Sequence, residues 1–191
     1  MIELEQKILN EGEILPGGIL KLGSFLNQQV DTDFMTLMAK EGAKLYEGCG
    51  ITKVLTVEAS GISLAFAVAQ QLHVPMLFAK KYGASNITGD LYKASVYSFT
   101  HKQTFDIVVS KKYLTSEDNV LICDDFLAKG NALNGLIHIV EQSGASLEGA
   151  LIAVEKSFQG GGDLLREEGV RVESLAIIES MDDEVIEFRH G

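Results

Sequence analysis

Residues Asn119 to Ala132 read NVLICDDFLAKGNA, an apolar run that ends in two adjacent carboxylates and passes through a small-residue loop into an amphipathic segment. Val120, Leu121, Ile122 and Cys123 have the pattern of a short parallel strand buried on both faces. The carboxyl ends of such strands are where open α/β sheets hold their ligands. Asp124 and Asp125 at that end offer charged acceptors to vicinal hydroxyls, such as those of a ribose. They supply charge, not nucleophilicity. In Ala128-Lys129-Gly130-Asn131-Ala132 only Lys129 is bulky, so backbone N–H groups can approach an anion before the helix through Leu133, Leu136, Ile137 and Val140. A helix N-terminus preceded by such a loop suits a phosphate. Taken singly, the two acids also read as a solvated strand end and Gly130 as a turn; the order of the whole stretch favours a sugar phosphate.

Val57-Glu58-Ala59-Ser60-Gly61-Ile62 is a second strand-to-helix junction with small residues at the turn, and so a second phosphate cradle. Ser60 is not a hydrolase nucleophile, because Glu58 and Ile62 stand where a G-x-S-x-G elbow needs glycines. Read alone, Ser60 is a helix cap and Lys80-Lys81 a solvated strand end. His73, His101, His138 and His190 have no zinc spacing with Cys49 and Cys123, so no protein-bound metal is expected. Gly160-Gly161-Gly162 lacks a preceding buried strand and a following Lys-Ser/Thr pair and is expected to be a loop.

These segments need a scaffold, and composition bounds it. With 191 residues and 46% hydrophobic content, one core is affordable and two ordinary domains are not. A single domain over 1–191 is expected. No apolar stretch has transmembrane length and no basic-then-apolar leader follows Met1, so cytoplasmic residence without membrane attachment is the simplest expectation. Two cysteines, one in the buried run, suit a reducing compartment and read as packing residues. A net charge of −11 opposes a nucleic-acid surface. It also means that an anionic substrate needs a local positive pocket, for which Lys80, Lys81, Lys129 and Lys156 are the candidates.

The periodicity predicts helices at Leu4 to Leu9, at Ile62 to Leu72 and at Asn131 to Gln142. A further helix, capped by Asp31 and Thr32, presents Phe34, Met35, Leu37, Met38 and Leu45 as its apolar face. Strands are predicted at Lys53 to Val57, Pro75 to Ala79, Val120 to Cys123 and Leu147 to Val154, with a loop through Pro16, Gly17 and Gly18. Such alternation implies right-handed crossovers and an α/β fold with a mostly parallel sheet. Ser95 to Phe99 and Phe105 to Val109 interrupt it as a hairpin joined through His101-Lys102-Gln103. That hairpin is either a mobile lid or an ordinary edge.

The apolar strand, Asp-Asp and small-residue loop resemble the phosphoribosyl-diphosphate signature of type I phosphoribosyltransferases. The match departs from the commonest form, since Lys129, Asn131 and Ala132 stand where Thr, Gly and Thr are usual. Leu20 to Gln29, Val154-Glu155-Lys156-Ser157-Phe158 and the Ala-x-Gly-x-Ala loop resemble the bacterial xanthine phosphoribosyltransferases, and this likeness covers nearly the whole chain. It implies a twisted parallel sheet flanked by helices, a flexible hairpin lid, and a small hood from about residues 1–30 plus part of the C-terminal segment.

The same resemblance assigns roles. Leu20, Asn27 and Lys156 contact the purine; Ala128, Lys129, Gly130, Asn131 and Ala132 cradle the phosphoribosyl group. Glu58, Ala59, Ser60 and Gly61, with Lys80 and Lys81, hold the pyrophosphate, and Ser95, Tyr97 and Ser98 lie on the lid. Asp124 and Asp125 become the catalytic pair, Mg²⁺ arrives with the diphosphate, and the assembly is a homodimer. The implied reaction is transfer of ribose 5-phosphate from phosphoribosyl diphosphate to xanthine. A Lys156 ammonium offers donors only, which suits a carbonyl at the purine six position and disfavours adenine. Phe158 stacks on the base or packs in the core. Hypoxanthine or guanine transfer is the enzyme alternative. A phosphoribosyl-diphosphate-sensing regulator is the non-enzyme alternative, though such proteins usually add a basic face or a DNA-binding domain that this acidic chain has no room for.

Overall fold

The structure is a computed structural model that describes residues 1–82, 89–98, 103–182 and 185–190. Helix α1 (Ile2–Glu11) leads into a small hairpin of β1 (Glu13–Leu15) and β2 (Ile19–Lys21), then a π turn at Gly23–Asn27 and helix α2 (Thr32–Leu45). Strand β3 (Lys53–Val57), helix α3 (Gly61–Leu72) and strand β4 (Met76–Lys81) follow. The hairpin strands are β5 (Leu91–Ser98) and β6 (Gln103–Ser110). After them come β7 (Asn119–Leu127), α4 (Asn131–Ser143), β8 (Ser146–Lys156), α5 (Gly161–Glu167), β9 (Val172–Met181) and β10 (Ile186–Phe188).

Eight strands make the main sheet in the order β10-β9-β8-β7-β3-β4-β6-β5. The five central strands, β9, β8, β7, β3 and β4, are parallel, and antiparallel β10 and the β6–β5 pair finish the two edges. The central position of β7 explains its unbroken apolar run. Leu121 and Cys123 enter the layer made by α1, the π turn, α2 and α3, whereas Val120 and Ile122 enter the layer made by α4.

The structure refines several expectations. Asp31 caps α2 by accepting the Phe34 N–H at 3.0 Å, but only part of the expected apolar face is buried. Met35 and Met38 pack inside while Leu37 and Leu45 are 37% and 41% exposed. A stripe of period 3.6 running through Met35, Met38, Ala39 and Gly42 leaves those leucines off the core side. Strand β3 has the predicted bounds, and the other predicted strands and helices are present over the described residues with shifted ones. Most consequential is β7, which continues four residues beyond Cys123 because β8 goes on pairing with it to Leu127↔Glu155. Gly160-Gly161-Gly162 is not simply a loop: Gly160 is left-handed and Gly161 and Gly162 open α5.

The hairpin is an edge extension of the sheet over its described length, with Tyr97 paired to Thr104 and Lys81 of β4 to Ile107 of β6. Strand β5 lies on α4, where a Cβ on Gly135 would sit 2.5 Å from Val96. The Gln142 side chain donates to the Lys93 carbonyl at 2.8 Å and accepts its N–H at 3.3 Å, binding the strand as another strand would. Phe99, His101 and Lys102, assigned by sequence to the hairpin strand and its turn, lie outside the described residues, as does the side chain of Ser98.

Candidate active site

A cavity of about 590 Å³ opens at the carboxyl ends of β7 and β8. Asp124 and Phe126 of β7 and Lys156 of β8 form one wall, and the loop Ala128 to Ala132 forms a second. The β1–β2 turn, Gly17 to Ile19, lies across it, with Tyr97 and Gln159 on the rim. Gly130 is buried and left-handed at φ 81°, which allows the loop to turn into α4. The strand end and the small-residue loop, adjacent in sequence, are thus adjacent in one concave surface.

The two aspartates are inside β7, not beyond its end. Each is only 6% exposed. Neighbouring residues of a strand face opposite sides of the sheet, so the pair is split. Asp124 lines the cavity with the loop Ala128 to Ala132. Asp125 is instead engaged on the other side, where Oδ1 accepts from Ser60 Oγ at 3.0 Å and Oδ2 from Asn27 Nδ2 at 3.4 Å. The Asp125 N–H donates back to Asp124 Oδ1 at 3.0 Å. Burial and the adjacent Asp125 charge push the Asp124 carboxyl well above the usual aspartate range. The first turn of α3 crowds the same carboxylate: a Cβ on Gly61 would lie 2.6 Å from Asp124 Oδ1 and 2.4 Å from Thr56 Oγ1.

The junction after β3 is tied down by Glu58. Its N–H donates to the Ala79 carbonyl at 3.0 Å and its carboxylate accepts the Lys81 N–H at 2.7 Å, so the expected pyrophosphate loop is fixed to the end of β4. The Glu58–Ala59 peptide is cis. Ser60 makes no side-chain cap to α3; its hydroxyl is spent on Asp125. Lys80 and Lys81 follow at the end of β4, their ammonium groups 5.6 and 5.1 Å from the ring centroids of Phe78 and Phe105.

The three expected base contacts do not share one wall. Lys156 faces the larger cavity, donates to the Gly18 carbonyl at 3.1 Å and lies 5.5 Å from the Phe126 ring centroid. Burial lowers its pKa from the ordinary lysine value. Leu20 and Asn27 line a neighbouring cavity of about 500 Å³ with Ser60, and Leu20 itself is 5% exposed. The hood residues that line the larger cavity are Gly17, Gly18 and Ile19. Among the proposed lid residues, Tyr97 lines the cavity, whereas the Ser95 hydroxyl donates to Asp106 at 2.6 Å. Asn131 joins loop to hairpin by donating to the Tyr97 carbonyl at 2.9 Å. Phe158 neither stacks in the cavity nor enters the core; it is 43% exposed, and the next residue, Gln159, takes the cavity position. Nothing in the local sequence distinguishes Gln159, which a short 3₁₀ turn brings to the rim.

The comparisons with known proteins agree with this geometry. The chain is 52% identical over 192 residues to a xanthine phosphoribosyltransferase of Bifidobacterium adolescentis, covering 99% of this chain and 100% of that protein. It is 54% identical over 188 residues to one of Heliobacterium modesticaldum, covering 98% and 100%. Among solved structures, the adenine phosphoribosyltransferase of Giardia lamblia complexed with 9-deazaadenine superposes with a TM-score of 0.75 at 25% identity, over 87% of this chain and 89% of that one. The fold is the type I phosphoribosyltransferase fold. The sequence model of the family described as "Phosphoribosyl transferase domain" matches residues 29–186, and the chain belongs to that family.

Proposed function

We propose that this protein is a purine-salvage enzyme that transfers the 5-phosphoribosyl group from phosphoribosyl diphosphate to xanthine, giving xanthosine 5′-monophosphate and diphosphate. The observation that carries the reading is the single cavity shared by Asp124, the loop Ala128 to Ala132 and Lys156. It offers a carboxylate for ribose hydroxyls, backbone amides for a phosphate, and a desolvated ammonium for an oxygen-bearing base. The relatives named above at about half identity over full length act in the same sense by their names.

In the reaction the bond from the ribose carbon to diphosphate breaks, a bond to a purine nitrogen forms, and the proton that this nitrogen loses is released to solvent with the diphosphate. Positive charge develops on the ribose ring as the leaving group departs, and Asp124, with Asp125 behind it, lies on the side that stabilises this charge. The loop from Glu58 to Gly61 with Lys80 and Lys81 holds the diphosphate. Lys156 donates to the six-position carbonyl of the base, and the hairpin at Tyr97 limits water, which competes for the same carbon. Among the described residues no three His, Cys, Asp or Glu side chains converge as a metal cage. Mg²⁺ usually keeps its waters and binds through substrate phosphates, so an ion arriving with the diphosphate would be met by Asp124, the carboxylate that faces the cavity. The ion would neutralise charge on the leaving diphosphate.

A homodimer and a cytoplasmic setting belong to the same reading. Leu37 on α2 and Phe66 on α3, 37% and 61% exposed, supply apolar area for a subunit contact, which sedimentation tests. Initial rates with xanthine, guanine, hypoxanthine and adenine test the function itself. Xanthine should be preferred and adenine rejected; a rate with adenine equal to that with xanthine would overturn the assignment of Lys156, and no transfer to any base would overturn the enzyme.

A further inference from the structure

We infer that Gly161, held in place by the buried Glu155–Arg166 ion pair, is a positioning residue for the phosphate loop; the inference rests on the phosphoribosyl-diphosphate reading of that loop. Glu155 has no exposed surface, yet its carboxylate is fully matched. Arg166 grips it with two nitrogens at 2.8 and 2.6 Å, and the Ser174 hydroxyl donates to it as well. A forked guanidinium against a carboxylate fixes direction as well as distance. Arg166 also donates to the Val172 carbonyl at 3.2 Å, so the last turn of α5 is tied to both β8 and β9.

The first turn of α5 is built onto this pair and onto the loop at once. A Cβ on Gly162 would sit 2.0 Å from Glu155 Oε1. One residue earlier, the Gly161 N–H donates to the Ala128 carbonyl at 3.0 Å. A Cβ on Gly161 would lie 2.4 Å from Ala128 O, 2.5 Å from Lys129 C and 2.6 Å from Gly130 N. All three neighbours are backbone atoms of the phosphate loop, so no flexible side chain can give way. Glu155 is also the strand partner of Leu127, the residue before Ala128. The loop whose amides would meet the 5′-phosphate is therefore shaped from behind by α5, and α5 is aimed by a charge pair that cannot shift without leaving Glu155 buried and unmatched.

Gly161→Ala should raise KM for phosphoribosyl diphosphate by about tenfold or more, since sub-ångström displacement of a binding loop is felt at the reacting centre. Calorimetric affinity for ribose 5-phosphate should fall by a similar factor, with KM for xanthine little changed. Gly169→Ala is the control for backbone strain: Gly169 is left-handed at φ +89° beyond α5 and has nothing within 4 Å of its Cβ position. It should lose stability while keeping both KM values. If Gly161→Ala does not fold, Arg166→Lys keeps the charge beside Glu155 but loses the fork, and should show the same split in weaker form. Wild-type protein that fails to bind ribose 5-phosphate would sink the functional reading. Wild-type binding with unchanged phosphoribosyl-diphosphate KM in the folded Gly161 or Arg166 variant would sink this inference alone.

Discussion

The Ser60 hydroxyl donates to the Asp125 carboxylate at 3.0 Å, so one hydrogen bond joins the loop after β3 to the central strand β7. The junction read from sequence as the second cradle is thereby tied through the second aspartate to the strand that leads into the first. Asp125 is thus held behind the cavity wall, while Asp124 is the carboxylate that faces the cavity.

Removing that link tests its importance. Hydrogen bonds to charged acceptors contribute about 1.5–3 kcal/mol when shielded, and less at a half-open position such as this. Ser60→Ala should lower kcat/KM for phosphoribosyl diphosphate by about tenfold, equivalent to about 1.4 kcal/mol, with the thermal midpoint nearly unchanged. Unaltered kinetics would show that Asp125 needs no help from the loop.

Asp124 carries a prediction that sets stability against activity. An acid whose pKa is higher in the folded state than in the unfolded one binds its proton more tightly when folded, so stability falls as pH climbs from the ordinary aspartate value through the raised one. Below the ordinary value both states are protonated and the penalty is absent. Asp124→Asn should therefore unfold at higher urea concentration than wild type near pH ~8, with the gap closing toward pH ~4, the region of the ordinary aspartate pKa. Transfer should fall by about a hundredfold or more, as expected for loss of charge stabilisation in a desolvated site. Equal urea midpoints at both pH values would mean that this carboxylate ionises without cost.

For Lys156 the chemistry of the side chain makes the forecast. Lys156→Ala should raise KM for xanthine by about tenfold or more, as for loss of a charge-assisted bond at a buried site, with calorimetric affinity for ribose 5-phosphate largely kept. Lys156→Gln carries an acceptor as well as donors and should narrow the gap between xanthine and adenine. Equal weakening for base and sugar phosphate would trace the effect to the Gly18 contact and the hood instead.

Gln142 anchors the hairpin to α4 through both backbone groups of Lys93. At about 0.5–1.5 kcal/mol per bond, Gln142→Ala should speed amide exchange at Lys93 and its β5 neighbours by about ten- to a hundredfold, leaving β7 and β8 protected. Uniform acceleration across the sheet would indicate global destabilisation, and none would show that the packing of Val96 on Gly135 suffices.

Much of the scaffold is written in short-range pattern. The apolar run from Val120 to Cys123, the small residues after it and the periodicity of Leu133 to Val140 announce a strand, a loop and a helix in that order, because burial on both faces and close approach of a backbone each demand particular residue types. Under the proposed function base choice is partly legible too, since Lys156 can only donate. Strand β9 escaped the reading, and so did the role of Gly161, because neither is marked locally: β9 is defined by its partner β8, and Gly161 matters only through its contact with Ala128. Likewise, adjacency in sequence made Asp124 and Asp125 look like one device. Residue types settled which chemistry the chain can perform, but the continued pairing of β7 with β8 put those acids inside a strand, and alternation of side chains across a sheet then sent one to the ligand cavity and the other to Ser60.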